Sequence, residues 1–206
     1  MITHYEDLND SHIDVLKEIG NIGAGNAATS LGVLIDETVT IDVPRVKIED
    51  YDAVINSIGG AEKMIVAVLI KFFGDANGMI MFILDMDDAK SITEILVGKE
   101  EEEHTGLSEM KISAIKEIGN ILGSSYLNSI AVLTGMSINI SIPFVSVDMA
   151  GSILSTPVSQ YGATDNKVMF IEESFSSESR SLRSNVVLFA EIGTIREILG
   201  KMGIEV

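Results

Sequence analysis

Two short words in the chain set a carboxylate and a carboxamide one helical step apart. Glu18 stands three residues before Asn21, and Glu117 three residues before Asn120. Side chains at i and i+3 of a helix are neighbours, so each pair would present an acid and an amide side by side. Neither pair holds a strong nucleophile, and neither has a His or Cys beside it to complete a zinc site. A carboxamide both donates to and accepts from water. It can therefore orient a water for in-line attack on phosphorus, as the water-positioning Gln does in GTP hydrolysis. The carboxylate would anchor a cation on a partner. On this reading the metal and the phosphoryl group both arrive with the substrate protein, and the chain binds no metal or cofactor itself.

The elements that must carry these pairs are two long helices. At 100° per residue, Asp14, Glu18, Asn21 and Gly25 fall within about 60° of one another, with Ser11 beside them. Leu16, Ile19, Gly23, Ala27 and Leu34 lie on the opposite side. The second helix lines up Ser113, Glu117, Asn120 and Ser124, backed by Ile115, Ile118, Leu122 and Leu133. Each apolar arc is expected to face the core and each polar stripe to face outward, with Asp14 and Ser113 in supporting positions. A plain solvated face would give the same stripe. Against that, Gly and Asn cost roughly 0.5–1 kcal/mol each relative to Ala in a helix. Yet Gly20, Asn21, Gly23 and Gly25 crowd one helix, and Gly119, Asn120 and Gly123 the other. We read the small residues as leaving backbone open for a partner's close approach.

The helices belong to a tandem repeat. Lys17-Glu18-Ile19-Gly20-Asn21-Ile22 returns 99 residues later as Lys116-Glu117-Ile118-Gly119-Asn120-Ile121, and Pro44 returns as Pro143 at the same offset. Each half reads helix, strand, short connection, strand, strand, helix. The first half gives a helix near 11–34, strands near 38–48, 64–73 and 77–85, and a helix near 86–98 capped at Asp85. The second gives a helix near 107–134, strands near 138–147, 167–174 and 184–192, and a last helix near 193–202. The expected fold is α+β: a pseudo-symmetric tandem repeat pooling its strands into one six-stranded, mostly antiparallel sheet. Two long surface helices and shorter helices pack on that sheet. One domain over 1–206 would comprise pseudo-repeats at about 8–98 and 107–206, joined by an acidic linker near 99–106.

Composition narrows the function classes. Thirty-one acidic residues against 14 basic ones give a net charge of −17, which repels nucleic-acid backbones and anionic membranes. Without Cys there is no disulfide framework and no thiolate chemistry. No apolar run approaches the roughly 20 residues of a membrane span, and the polar start excludes a signal peptide, so a cytoplasmic location is expected. Gly23-Ala24-Gly25-Asn26-Ala27-Ala28 matches a dinucleotide fingerprint but follows a helix rather than a strand. His4, His12 and His104 sit in polar or terminal contexts and read as surface residues. Met64, Met79, Met81 and Met169 read as core filler.

At Asp14/Glu18/Asn21 and Ser113/Glu117/Asn120 the chain resembles the CheC/CheX/FliY family of chemotaxis phosphatases. The family's motif is Asp or Ser, three residues, Glu, two residues, Asn; the KEIGNIGAGN stretch from Lys17 to Asn26 strengthens the likeness. Two copies of the motif, and no room for a motor-switch domain, favour its CheC branch. The resemblance implies hydrolysis of the aspartyl phosphate of CheY, a single-domain response regulator. Asn21 and Asn120 would each place the attacking water in CheY's active site, and Glu18 and Glu117 would each pair with its active-site Lys. The regulator would hold the Mg²⁺. The resemblance further implies binding of CheD, a receptor deamidase, which we place around Val147 to Leu154 and in particular at Asp148 and Gly151. A non-catalytic adaptor binding CheD is the alternative. A monomer is expected.

Overall fold

The computed structural model describes residues 2–98, 106–161, 166–177 and 181–206. Apart from Gly106, the expected acidic linker lies outside these. After a 3₁₀ turn at Tyr5–Asp7 comes α1, Asp10–Ile35. Asn9 caps it, accepting from the backbone N–H of His12, and Asp36 closes it in the left-handed region at φ 55°. Its counterpart α4, Glu109–Thr134, starts at Ser108, which accepts from the Lys111 N–H, and ends at Gly135, φ 69°. Both helices run 26 residues.

Each expected Pro-containing strand is broken at its Pro. Thr40–Ile41 (β1) and Arg45–Asp50 (β2) flank Pro44; Ile138–Ile140 (β5) and Phe144–Met149 (β6) flank Pro143. Proline has no N–H to give a ladder, so the run turns a corner there. With β3 (Met64–Gly74), β4 (Gly78–Asp85), β7 (Lys167–Ser176) and β8 (Ser181–Ala190), the six expected runs become eight strands of one sheet. Every described pairing is antiparallel. The order is β2-β7-β8-β4-β3-β6, with β1 and β5 continuing along β7 and β3.

That order exchanges strands between the repeats. β2 of the first half pairs with β7 of the second, Val46 opposite Ile171, and β6 of the second pairs with β3 of the first, Val66 opposite Val147. β4 and β8 join the halves at the centre, Ile80 opposite Leu188. The helices obey the same exchange. Asn26 Nδ2 donates to Ser129 Oγ at 2.9 Å, and Ser125 Oγ donates to Ser30 Oγ at 2.8 Å. The 99-residue shift turns Asn26 into Ser125 and Ser30 into Ser129, so the two bonds are pseudo-symmetry mates.

The sheet is covered on both faces. On one, Leu16, Ile19, Leu31, Ile115, Ile118 and Leu122 of α1 and α4 pack on Val68, Ile70, Phe82 and Ile171, joined by α3 (Met86–Val97) and α6 (Ile192–Lys201). On the other, Tyr51, Val54, Ile153 and Leu154 pack on Ile65, Met81, Phe170 and Phe189. Two helices supply that second layer, α2 (Tyr51–Ser57) and α5 (Ala150–Tyr161), where the sequence suggested only short connections. Burial on both faces is why β3 and β4 read as continuous apolar runs rather than alternating ones.

Several local readings change. Gly20, Gly23, Gly119 and Gly123 face the protein's own interior, not a partner. A Cβ on Gly119 would sit 2.3 Å from Val68 Cγ1, and one on Gly123 2.3 Å from Ile70 Cδ1. A Cβ on Gly20 would meet Val46 at 2.8 Å, and one on Gly23 the Tyr126 ring at 2.6 Å. Only Gly25 of the helical group opens onto free space. His12 is buried, contacting the Asn9 N–H through Nδ1 and the Glu205 carbonyl through Nε2. Met64 is exposed at the start of β3, whereas Met79, Met81 and Met169 are core. Asp85 sits at the N-cap position of α3 but directs its carboxylate to Lys63, 2.7 Å away.

Candidate active site

The two motifs lie on the outer arcs of α1 and α4. Asp14, Glu18, Ser113 and Glu117 are exposed, and Asn21 and Asn120 are half-buried at the foot of each stripe. Beneath each Asn, the preceding residue is the glycine that brings its helix down onto the sheet, Gly20 over Val46 and Gly119 over Val68. The backbone bearing each amide is thus set by contact with a β-branched side chain, itself stiff at χ1.

Around the second motif the surface forms an open cleft of ≈800 Å³. Ser113, Lys116, Glu117 and Asn120 make one wall; Ser141, Ile142 and Pro143 of the β5–β6 corner make another. Leu34, from the end of α1, and Leu96, from the end of α3, complete it. A carboxylate, an amide and a hydroxyl therefore converge on one concavity with an apolar rim. The first motif is placed likewise relative to its own corner, because α1 packs on β1 and β2. Lys17, the counterpart of Lys116, turns back to Asp14, 3.0 Å away, in an exposed ion pair.

The motifs differ in one respect that bears on chemistry. Asn21 Oδ1 is occluded from solvent and has no hydrogen-bond partner. Interchanging the amide's oxygen and nitrogen leaves the same position occluded, so half of this carboxamide faces inward. Asn120, in contrast, lines the open cleft.

Asp148 and Gly151 lie on the far side of the corner, where β6 leads into α5. Asp148 accepts from its neighbour's Met149 N–H at 2.7 Å and from Ser152 Oγ at 3.0 Å. Gly151 donates its N–H to the Ala61 carbonyl at 2.9 Å and packs against Ala61 too closely for an easy Cβ. Both have local structural work, and around them Phe144, Val147 and Met149 are exposed along the edge strand.

Under the helix crossing lies a polar pair absent from the sequence reading. Tyr126 is buried and donates its hydroxyl to Glu173 of β7. Burial pushes the Glu173 carboxyl up to about 8, overcoming its hydrogen bond from Tyr126, and pushes the Tyr126 phenol well above its ordinary value. Among the described residues, no group of three or more His, Cys, Asp or Glu side chains is arranged to hold a metal ion. No described helix is long and apolar enough to cross a membrane.

Comparison with known proteins accords with this geometry. The chain matches the model of the CheC-like family over residues 12–48, spanning the first motif and its Pro corner. It matches the model of the chemotaxis phosphatase CheX over residues 66–162, spanning the second. It is 27% identical over 203 residues to the CheY-P phosphatase CheC of Bacillus subtilis strain 168, covering 97% of each chain. Over both motifs the chain is similar to the CheC/CheX/FliY family. The fold superposes on Thermotoga maritima FliY with a TM-score of 0.75 at 25% identity, over 96% of this chain and 98% of that one. It also shares its fold with CheX in the CheX–CheY–BeF3–Mg2+ complex from Borrelia burgdorferi, at a TM-score of 0.52 and 16% identity, over 81% and 94% of the chains. Sequence reasoning named the polar residues of the cleft but missed Leu34 and the Ile142 rim. The Pro repeated at a fixed offset was the signal that could have pointed to the corner.

Proposed function

We propose that this chain hydrolyses the aspartyl phosphate of phosphorylated CheY, with Asn21 and Asn120 each orienting the attacking water. Carrying the proposal is one observation: Glu117 and Asn120 converge in a single open cleft, and the same residue types recur at the same helical positions in the first half. The names of its relatives, a CheY-P phosphatase and a CheX seated on CheY, point the same way. In this scheme the amide holds the water by one donor and one acceptor contact, which removes the entropy of arranging it for in-line attack. Glu18 and Glu117 pair with a cation beside the phosphorylated Asp, and Asp14 and Ser113 support the helix face. The Mg²⁺ belongs to the regulator, and the chain acts as a cytoplasmic monomer.

The alternative reading, a non-catalytic adaptor for CheD, draws on the second half's edge strand. β6 exposes Phe144 and Met149, with Met64 exposed on the adjoining β3, whereas the matching edge β2 carries Arg45, Lys47, Glu49 and Asp50. Charged edges resist strand addition and apolar ones invite it, so Asp148 and Gly151 would lie within a protein-docking edge. Mixing the chain with phosphorylated CheY and following phosphate release separates the readings. Release faster than CheY's own decay supports the phosphatase; release at that intrinsic rate supports the adaptor.

A further inference from the structure

Val43 and Ile142 occupy the same place in the two halves, 99 residues apart, and are 83% and 79% exposed. Each stands directly before the Pro that breaks its strand run. Pro143 is buried and Pro44 half-buried; each ring pins the corner inward while the branched aliphatic beside it projects out. The flanking residues have diverged between halves, Asp42 against Ser141 and Arg45 against Phe144, yet this position has stayed aliphatic. Exposing a branched apolar side chain gains nothing for folding, since the hydrophobic gain requires removing it from water.

Ile142 lines the same cleft as Glu117 and Asn120. Val43 holds the matching corner beside α1, whose Gly20 lies directly over Val46. A chain of net charge −17 has no long-range attraction for a phosphorylated, acidic pocket. Affinity for such a partner must come from short-range contacts, and interface energy concentrates in a few apolar anchors. We infer that Val43 and Ile142 are the docking contacts of the two sites, each seating on an apolar patch of the phosphorylated regulator. The inference rests on the phosphatase reading above. Site two has the larger rim, because exposed Met110 joins Ile142 in its cleft where the first helix has Ser11.

The test isolates one site at a time. With Asn21→Ala as background, Ile142→Ser raises KM for the phosphorylated regulator about five- to tenfold, as expected for an interface anchor, leaves kcat unchanged, and weakens binding of the beryllofluoride-activated regulator by the same factor. Val43→Ser has no effect there; with Asn120→Ala as background the two substitutions exchange roles. Val132→Ser is the control: Val132 is 80% exposed at the end of α4 but does not line the cleft, and its KM stays at the parent value. An unchanged KM for Ile142→Ser in a working Asn21→Ala background overturns this inference alone. Release by the parent chain no faster than the regulator's own decay overturns the phosphatase reading, and this inference with it.

Discussion

Gly119→Ala tests whether the active-site helix rests on the sheet through a missing side chain. The new Cβ would lie 2.3 Å from Val68 Cγ1, 2.9 Å from its Cβ and 3.0 Å from its Cγ2. All three atoms belong to a stiff β-branched residue buried in a central strand, so the contact cannot be relieved by a rotamer change. Restoring ordinary carbon–carbon separations of about 3.5–4.0 Å requires lifting α4 by roughly 1 Å at the residue next to Asn120. Overpacking of this kind costs about 1–3 kcal/mol, and the gain from replacing a helical Gly by Ala offsets up to about 1 kcal/mol of it. The expected net loss is up to about 2 kcal/mol, read as a lower urea midpoint with an unchanged m-value. Displacing the amide by that distance should lower kcat at the second site by as much as about 100-fold. Gly25→Ala is the internal control. Nothing lies within 4 Å of its added Cβ, so it should gain about 0.5–1 kcal/mol from propensity alone. A Gly119→Ala protein at least as stable as its parent, with an undiminished second site, would refute the reasoning.

Other consequences concern the helix crossing and the asymmetry of the sites. The folded protein holds a proton on Glu173 up to about pH 8, whereas the unfolded chain loses it near the ordinary value of 4.5. Its contribution to stability therefore falls as pH rises through that window, by up to about 1.4 kcal/mol per pH unit for one proton. Denaturation midpoints from pH 5 to 8 should show this slope, and Glu173→Gln should flatten it. Asn120→Ala should remove more of the total phosphatase rate than Asn21→Ala, because only the first Asn has half its amide turned inward; equal losses in steady-state assays would count against this. Asn26→Ala and Ser129→Ala should each cost about 1 kcal/mol. The double variant should cost less than their sum, since both remove one bond between α1 and α4.

The local and periodic parts of the fold were legible before the structure was known. Both long helices, the six strand runs and the polar stripes follow from spacing that any reader can count. What was missed depends on distant chain. That β2 pairs with β7, and β6 with β3, across the repeat leaves no mark in the local pattern. α2 offers barely two turns, and α5 contains Pro157, so neither shows sustained periodicity. His12 looked exposed because the carbonyl that covers it belongs to Glu205, at the other end of the chain. The glycines were correctly noted as costly, but their beneficiary is the sheet beneath, and only packing distances reveal that. Glu173 alternates with Ile171 and Phe175 on the buried face; Tyr126 supplies its partner from a different helix.

Replacing both Asn21 and Asn120 by Ala bears most directly on the central claim. Phosphate release from phosphorylated CheY should drop to the regulator's intrinsic decay rate while the denaturation midpoint stays near the parent's. Continued acceleration by that folded double variant would contradict the account.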